Sequence, residues 1–259
     1  MNYDYIKYEK IEGSVYITMN RPDVLNSFNN QMSKEFQDAL DIAGNDKTVR
    51  AVCLKGEGRA FCAGQDLSEA ISGEYSIKDI VINQYNPIIL KIREIEKPLI
   101  AAVNGVAAGA GANIALACDI VIASEKASFI QSFSAIGLIP DSGGTYFLPR
   151  LIGLPKASAI MMLGDKIPAK VAEEYGMIYK CTPENEFQDS VNEIMSKISK
   201  MPTFGLALTK KALNMTYNNN LTSQLELEAE LQSMAGDSYD YSEGVNAFLQ
   251  KRKPEFRGQ

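Results

Sequence analysis

Histidine is absent from all 259 residues of this chain. That removes serine–histidine and cysteine–histidine nucleophile pairs, and leaves proton transfer to carboxylate, lysine, tyrosine, cysteine or water. Cysteine is scarce. Cys53, Cys62, Cys118 and Cys181 stand far apart and form no Cys-x-x-Cys, so a disulfide framework or a zinc site is not expected and a reducing, cytoplasmic setting is. Without a histidine to activate them, Cys62 and Cys118 read as small core residues, and Ser142 lacks the base of a serine triad. Excess basic charge is missing too. Lys and Arg number 26 against 32 Asp and Glu, a net charge of −6, which speaks against a nucleic-acid partner. The opening Met-Asn-Tyr-Asp-Tyr shows neither the basic nor the apolar part of a secretion signal. The apolar stretch 98–123 is broken by Asn104, Asn113, Asp119 and several glycines. It reads as a buried strand, a Gly-rich loop and a buried helix, so no membrane partner is expected.

What is present alternates. Short apolar strands are predicted at 14–19, 51–54, 99–103, 120–123 and 177–180, separated by helical patterns. A helix over 31–43 places Met32, Phe36, Ala39, Leu40 and Ala43 on one stripe. Another runs from Pro168 to a stop at Gly176. Two apolar pieces, 112–117 and 157–163, read as buried helices. After Met201 the pattern is helical only, with a segment 204–217, a break at 218–220, and a Ser223-Gln-Leu-Glu226 capping box opening the next helix. Leu227, Leu231 and Met234 share a face there, and Val245, Phe248 and Leu249 mark a last short helix. The fold class is α/β with parallel pairing, divided as a core over 1–200 and a C-terminal helical region over 201–259.

Chemistry concentrates in residues 104–145. Gly109-Ala-Gly-Ala-Asn113 is not a dinucleotide loop, because Ile114 stands where the last glycine belongs, and no Gly-Lys-Ser/Thr supplies a P-loop. Small residues there let a ligand oxygen approach main-chain N–H groups, although close helix–strand packing explains them equally well. Ala60-Phe-Cys-Ala-Gly-Gln-Asp-Leu67 is a second such loop, capable of donating another N–H or of simple capping by Asp66 or Ser68. Asp141 follows Pro140 and precedes Ser-Gly-Gly-Thr. It reads as a helix N-cap that is also a carboxylate base kept ionised by the helix terminus.

Together these motifs resemble a known family. Asn20-Arg-Pro, the 60–67 string, Asn104-Gly-Val-Ala-Ala-Gly-Ala-Gly111, Gly137-Leu-Ile-Pro140 with Gly143-Gly-Thr145, and Glu243-Gly-Val-Asn-Ala-Phe-Leu-Gln-Lys-Arg252 are similar, in order, to the crotonase superfamily of enoyl-CoA hydratases and isomerases. The resemblance spans nearly the whole chain. It implies a spiral of ββα units, a C-terminal helical region used in assembly of a homotrimer or a hexamer (a dimer of trimers), and an acyl-CoA thioester as substrate. No cofactor or metal is implied, since coenzyme A is part of the substrate. By the same resemblance the backbone N–H groups of Gln65 and Ala110 form the oxyanion hole. Ala63, Asp66, Leu67, Gly109, Asn113 and Phe133 contact substrate, and Lys251 and Arg252 lie near CoA phosphates. Hydratases of the superfamily use two glutamates to activate water; here those positions hold Asn113 and Phe133. Asp141 matches the aspartate of several isomerases, and 137–146 with 202–206 resembles the ring-epoxide isomerases of phenylacetate catabolism. The expectation is therefore an isomerase, acting on ring-1,2-epoxyphenylacetyl-CoA or shifting enoyl-CoA double bonds. An enoyl-CoA hydratase and a non-catalytic acyl-CoA-binding protein are the alternatives.

Overall fold

The structure, a computed structural model, describes residues 3–71 and 73–259. Ten strands run along the described chain: β1 (Ile6–Ile11), β2 (Ser14–Met19), β3 (Ala51–Gly56), β4 (Ala60–Cys62), β5 (Leu99–Val103), β6 (Val106–Ala108), β7 (Ile120–Ser124), β8 (Ser128–Ile130), β9 (Lys166–Pro168) and β10 (Lys180–Thr182). They sort into a six-stranded sheet, β1-β2-β3-β5-β7-β10, and a four-stranded sheet, β4-β6-β8-β9. The pairs β3/β4, β5/β6 and β7/β8 each give their first strand to the large sheet and their second to the small one. That repetition is the spiral. Pairing is parallel except at β1–β2 and β8–β9.

Helices fill the space around the sheets. α1 (Asn30–Asn45) starts where the Asn29 side chain accepts from Met32 N, and its buried stripe is Met32, Phe36, Ala39, Leu40 and Ala43. α2 (Leu67–Ala70), α3 (Ile77–Ile80) and α4 (Asn86–Glu94) follow β4, with a π-helical turn over Val81–Tyr85 leading into α4. α5 (Ala110–Leu116) is buried at every residue. Next come α6 (Gly144–Ile152), α7 (Leu154–Leu163), α8 (Ala169–Glu174) and α9 (Glu184–Ile198). The main apolar cluster lies on one side of the large sheet. A second cluster, with Cys53, Ile100, Ile122, Val191 and Met195, packs α9 against the other side. Both faces of β2 are therefore covered, so Ser14 and Thr18 are buried along with Val15, Ile17 and Met19. The chain ends in α10 (Thr203–Met215), α11 (Leu221–Gly236) and α12 (Tyr239–Leu249).

Three local expectations change. The strand expected at 177–180 begins only at Lys180, because Gly176 in the left-handed region turns the chain and Met177 N bonds back to Ala172 O. Met177 and Ile178 owe their apolar character to burial in that turn. Helix α7 is not buried: Ala157 and Ile160 face inward, while Met162 and Leu163 stand 75% and 69% exposed. Finally, Ser223 does not open α11. Asn220 does, its Oδ1 accepting from Ser223 N, so the helix starts at Leu221.

Candidate active site

Three chain segments meet at a cavity of about 540 Å³: the loop after β4, the start of α5, and the loop from Ser132 to Asp141. A fourth wall comes from α2, α3 and Tyr85. The first segment is held by main-chain pairing with the residues ahead of α1. Ala63 N donates to Leu25 O, Phe28 N to Gly64 O at 2.7 Å, and Asp66 N to Phe28 O at 2.8 Å. Since Gly64 O and Asp66 N make the bridge, the N–H of Gln65 between them points the other way. Gly109 has φ +52°, its N donates to Ile130 O, and the chain then enters α5. Ala110 stands at the first position of that helix, ahead of any intrahelical acceptor for its N–H. The two loops touch closely, since a Cβ on Gly64 would lie 3.0 Å from Ala108 O and 3.5 Å from Ala110 N. Two main-chain donors thus sit side by side on the cavity wall.

The same cavity is lined by Asp141, its one carboxylate among the described residues. It is not the cap of α6. Gly143 holds that position and no side-chain oxygen bonds the helix start. The Asp141 carboxylate accepts instead from Ser142 Oγ at 2.8 Å, while its main-chain carbonyl accepts from Gly144 N at 2.8 Å and Asn113 Nδ2 at 2.9 Å. The electrostatic consequence also reverses. Burial raises the carboxyl pKa above the ordinary carboxylate value, and the Ser142 hydroxyl and the backbone only partly offset it. A raised carboxyl is a better proton acceptor once ionised.

The remaining expected positions divide. Ala63, Leu67, Gly109 and Phe133 line the cavity, and Phe133 is buried. Asp66 does not. It is ion-paired with Arg21 at 2.9 Å and caps α2 through Ser68 N. Asn113 does not either; it is wholly buried, its amide bonded to Gln131 and to the Asp141 carbonyl. Lys251 and Arg252 lie at the end of α12, away from the cavity lining, with Arg252 bonded bidentately to Glu243 at 2.6 and 2.8 Å. Cys62 behaves as a core residue, its thiol pushed up to about 12 by burial.

Sequence reasoning missed Tyr85. It closes the π-helical turn, packs edge-on against Phe28, and its hydroxyl donates to Gln65 Oε1 at 2.7 Å. Burial holds its phenol protonated, well above the usual tyrosine value. Nothing in the string Val-Ile-Asn-Gln-Tyr marks it, because a π turn has no side-chain signature of its own. Among the described residues no group of three His, Cys, Asp or Glu is placed to hold a metal ion, and no helix is long and apolar enough to cross a membrane. What the site offers is two main-chain N–H donors and one carboxylate lining the same largely aliphatic cavity. That set can stabilise an oxyanion and move a proton beside it.

The sequence pattern of the enoyl-CoA hydratase/isomerase family matches residues 9–259. This chain belongs to that family. The 1,2-epoxyphenylacetyl-CoA isomerase of Escherichia coli (strain K12) is 44% identical over 252 residues, 96% of each chain. A probable enoyl-CoA hydratase of Rhodobacter capsulatus is 42% identical over 259 residues, the whole of both. The crystal structure of an enoyl-CoA hydratase from Bacillus anthracis superposes with a TM-score of 0.92 at 31% identity, covering 99% of this chain and 100% of that one. The fold is that of the crotonases, and family membership supports activity on an acyl-CoA thioester. Relatives of both reaction types lie at nearly equal distance, so the reaction must be argued from the site.

Proposed function

We propose that the chain is an acyl-CoA isomerase that works through a thioester enolate and uses Asp141 as its single proton carrier. The observation that carries this reading is the make-up of the cavity wall. Asp141 is its one carboxylate among the described residues, and the two positions where hydratases hold a water-activating pair carry Asn113, buried and engaged, and Phe133. The thioester carbonyl sits against the N–H groups of Gln65 and Ala110. Each such donor contributes about 3 kcal/mol where negative charge develops. Asp141 takes the acidified proton and returns it two carbons away, a 1,3 shift without water. On a ring epoxide beside the thioester, as in the substrate named for the Escherichia coli relative, the same polarisation assists ring opening. Leu67, Ile77, Ile80, Phe133 and Leu138 keep the cavity lining largely apolar, which favours proton return over addition of water.

The same reading places the protein in the cytoplasm, in phenylacetate or fatty-acid breakdown, as a homotrimer or a dimer of trimers. Lys251 and Arg252 then meet CoA phosphates across a subunit boundary. Purified protein incubated with 3-enoyl-CoA, 2-enoyl-CoA and epoxyphenylacetyl-CoA tests the reaction. Double-bond migration or oxepin formation, with crotonyl-CoA hydrated very slowly at best, is the expected result. Robust hydration of crotonyl-CoA would make the chain a hydratase, and CoA-ester binding without turnover would make it a carrier.

A further inference from the structure

The Asp141 side chain does not anchor its own loop. Its carboxylate accepts from Ser142 next door, and no cap bond ties it to α6. The loop is gripped by its main chain instead. Of the two bonds to the Asp141 carbonyl, the one from Gly144 is a local turn, and the one from Asn113 Nδ2 reaches across from α5, 28 residues away in sequence. Asn113 is fixed in turn, because its Oδ1 accepts from Gln131 Nε2 at 2.7 Å, and Gln131 is itself buried. With both ends engaged, the amide can stand only one way round. Gly144 makes room for the reach. A Cβ there would lie 2.5 Å from Asn113 Nδ2, and the three nearest atoms all belong to the Asn113 amide. Gly144 is helical and outside the left-handed region, so its backbone would accept alanine, the better helix former.

We infer that Asn113, held by Gln131 and admitted by Gly144, is the positioning residue that sets the Asp141 carboxylate against the reacting carbon. The inference rests on the reading of Asp141 as proton carrier. An amide is the short side chain that can donate to the Asp141 carbonyl while accepting from Gln131; a carboxylate has no N–H to give. Where a hydratase would hold a water-activating group, this chain uses the position to aim a base.

The test uses the full-length protein and a 3-enoyl-CoA that the wild type isomerises. Asn113→Ala and Gly144→Ala should each lower kcat, by roughly 10- to 100-fold, since a misplacement near 1 Å costs about that much. KM should stay within about 3-fold, because neither change touches the Gln65 and Ala110 donors or the aliphatic wall. The double variant should be no worse than Asn113→Ala alone, because Gly144→Ala acts through the amide. Wild-type kcat in both single variants, additive losses in the double, or a loss carried by KM or by the folded fraction alone overturns the inference. Asp141→Asn is assayed in parallel. If it is dead while the other variants are normal, only the positioning role falls. If it turns over normally, the base assignment falls first and takes the inference with it.

Discussion

All seven residues of α5 are buried, whereas α12, at the other end of the chain, leaves Phe248 83% and Leu249 72% exposed. Both helices carry large apolar side chains, Ile114 and Leu116 in α5 and Phe248 and Leu249 in α12, so the presence of such residues does not separate them. Cover does. α5 is wedged into the main cluster, but neither apolar cluster includes any residue beyond Ile198. Several polar bonds tie the C-terminal helices to the body. Lys210 Nζ meets Asp119 at 2.9 Å and the Ile92 carbonyl at 2.7 Å. Arg50 donates to Thr203 and to the Met201 and Phe256 carbonyls. The tail buries Ala207, Leu208, Leu231 and Ala247 but leaves Leu213, Leu225, Phe248 and Leu249 exposed. The proposed assembly of subunits would use such faces.

The sharpest separation of the two regions is chemical. Asp141→Asn, in the body, should cut isomerase turnover by about 10³-fold or more while the CoA ester still binds, because the amide cannot accept the proton. A steady-state assay with parallel binding measurements checks this. Near-normal turnover would reduce Asp141 to a loop residue. Next in size is the joint between the regions. Lys210→Met removes one of the two cations on Asp119, which keeps Arg93 at 3.0 Å, and leaves the Ile92 carbonyl without its donor, and should cost about 2 kcal/mol by denaturant titration. A cost below ~1 kcal/mol would show that apolar contact, not the ion pair, holds α10. Smaller in free energy is the outer face. Phe248→Ser with Leu249→Ser should weaken self-association in sedimentation while the stability of one chain moves by no more than ~0.5 kcal/mol. Unchanged assembly would mean that face has no subunit partner.

The smallest effect is a matter of pH. Burial raises the folded Asp141 carboxyl above its unfolded value of about 4. The folded state therefore binds that proton more tightly. Stability is greatest below the unfolded pKa and declines as pH rises through the window up to the folded one. Asp141→Asn removes the decline. It should melt above wild type at pH 7 and lose that advantage below pH ~4. Equal melting points at pH 7 would show that ionised Asp141 carries no burial penalty.

The strands were legible wherever burial on both faces forced a run of apolar residues, as in β5 and β7, and α1 where a stripe met a capping asparagine. The spiral itself came from family resemblance rather than from periodicity. Residues 177–180 misled because an apolar turn and an apolar strand look alike in one dimension. α7 misled because apolar content does not say what covers a helix. Within the site, the 60–67 and 109–113 loops and the carboxylate at 141 could be named from their residues, while Gln65 and Ala110 came from the resemblance. The partners of Asp141 could not: its link to Asn113, the support from Gln131 and the room made by Gly144 are facts of distance. Tyr85 left no trace for the same reason.

The bridge between Phe28 and Gln65 has a consequence for the order in which the molecule matures. The Gln65 N–H is aimed by pairing with a segment 37 positions earlier, directly ahead of the Asn29 cap of α1. Asp141 is gripped from a helix 28 positions earlier. Each is a loop closure whose entropy must be met before the local geometry exists. Both partner segments precede the residues they hold, so a chain grown past residue 144 already contains every residue that the two closures need, and the Gln65 N–H and Asp141 take their places only as those closures form.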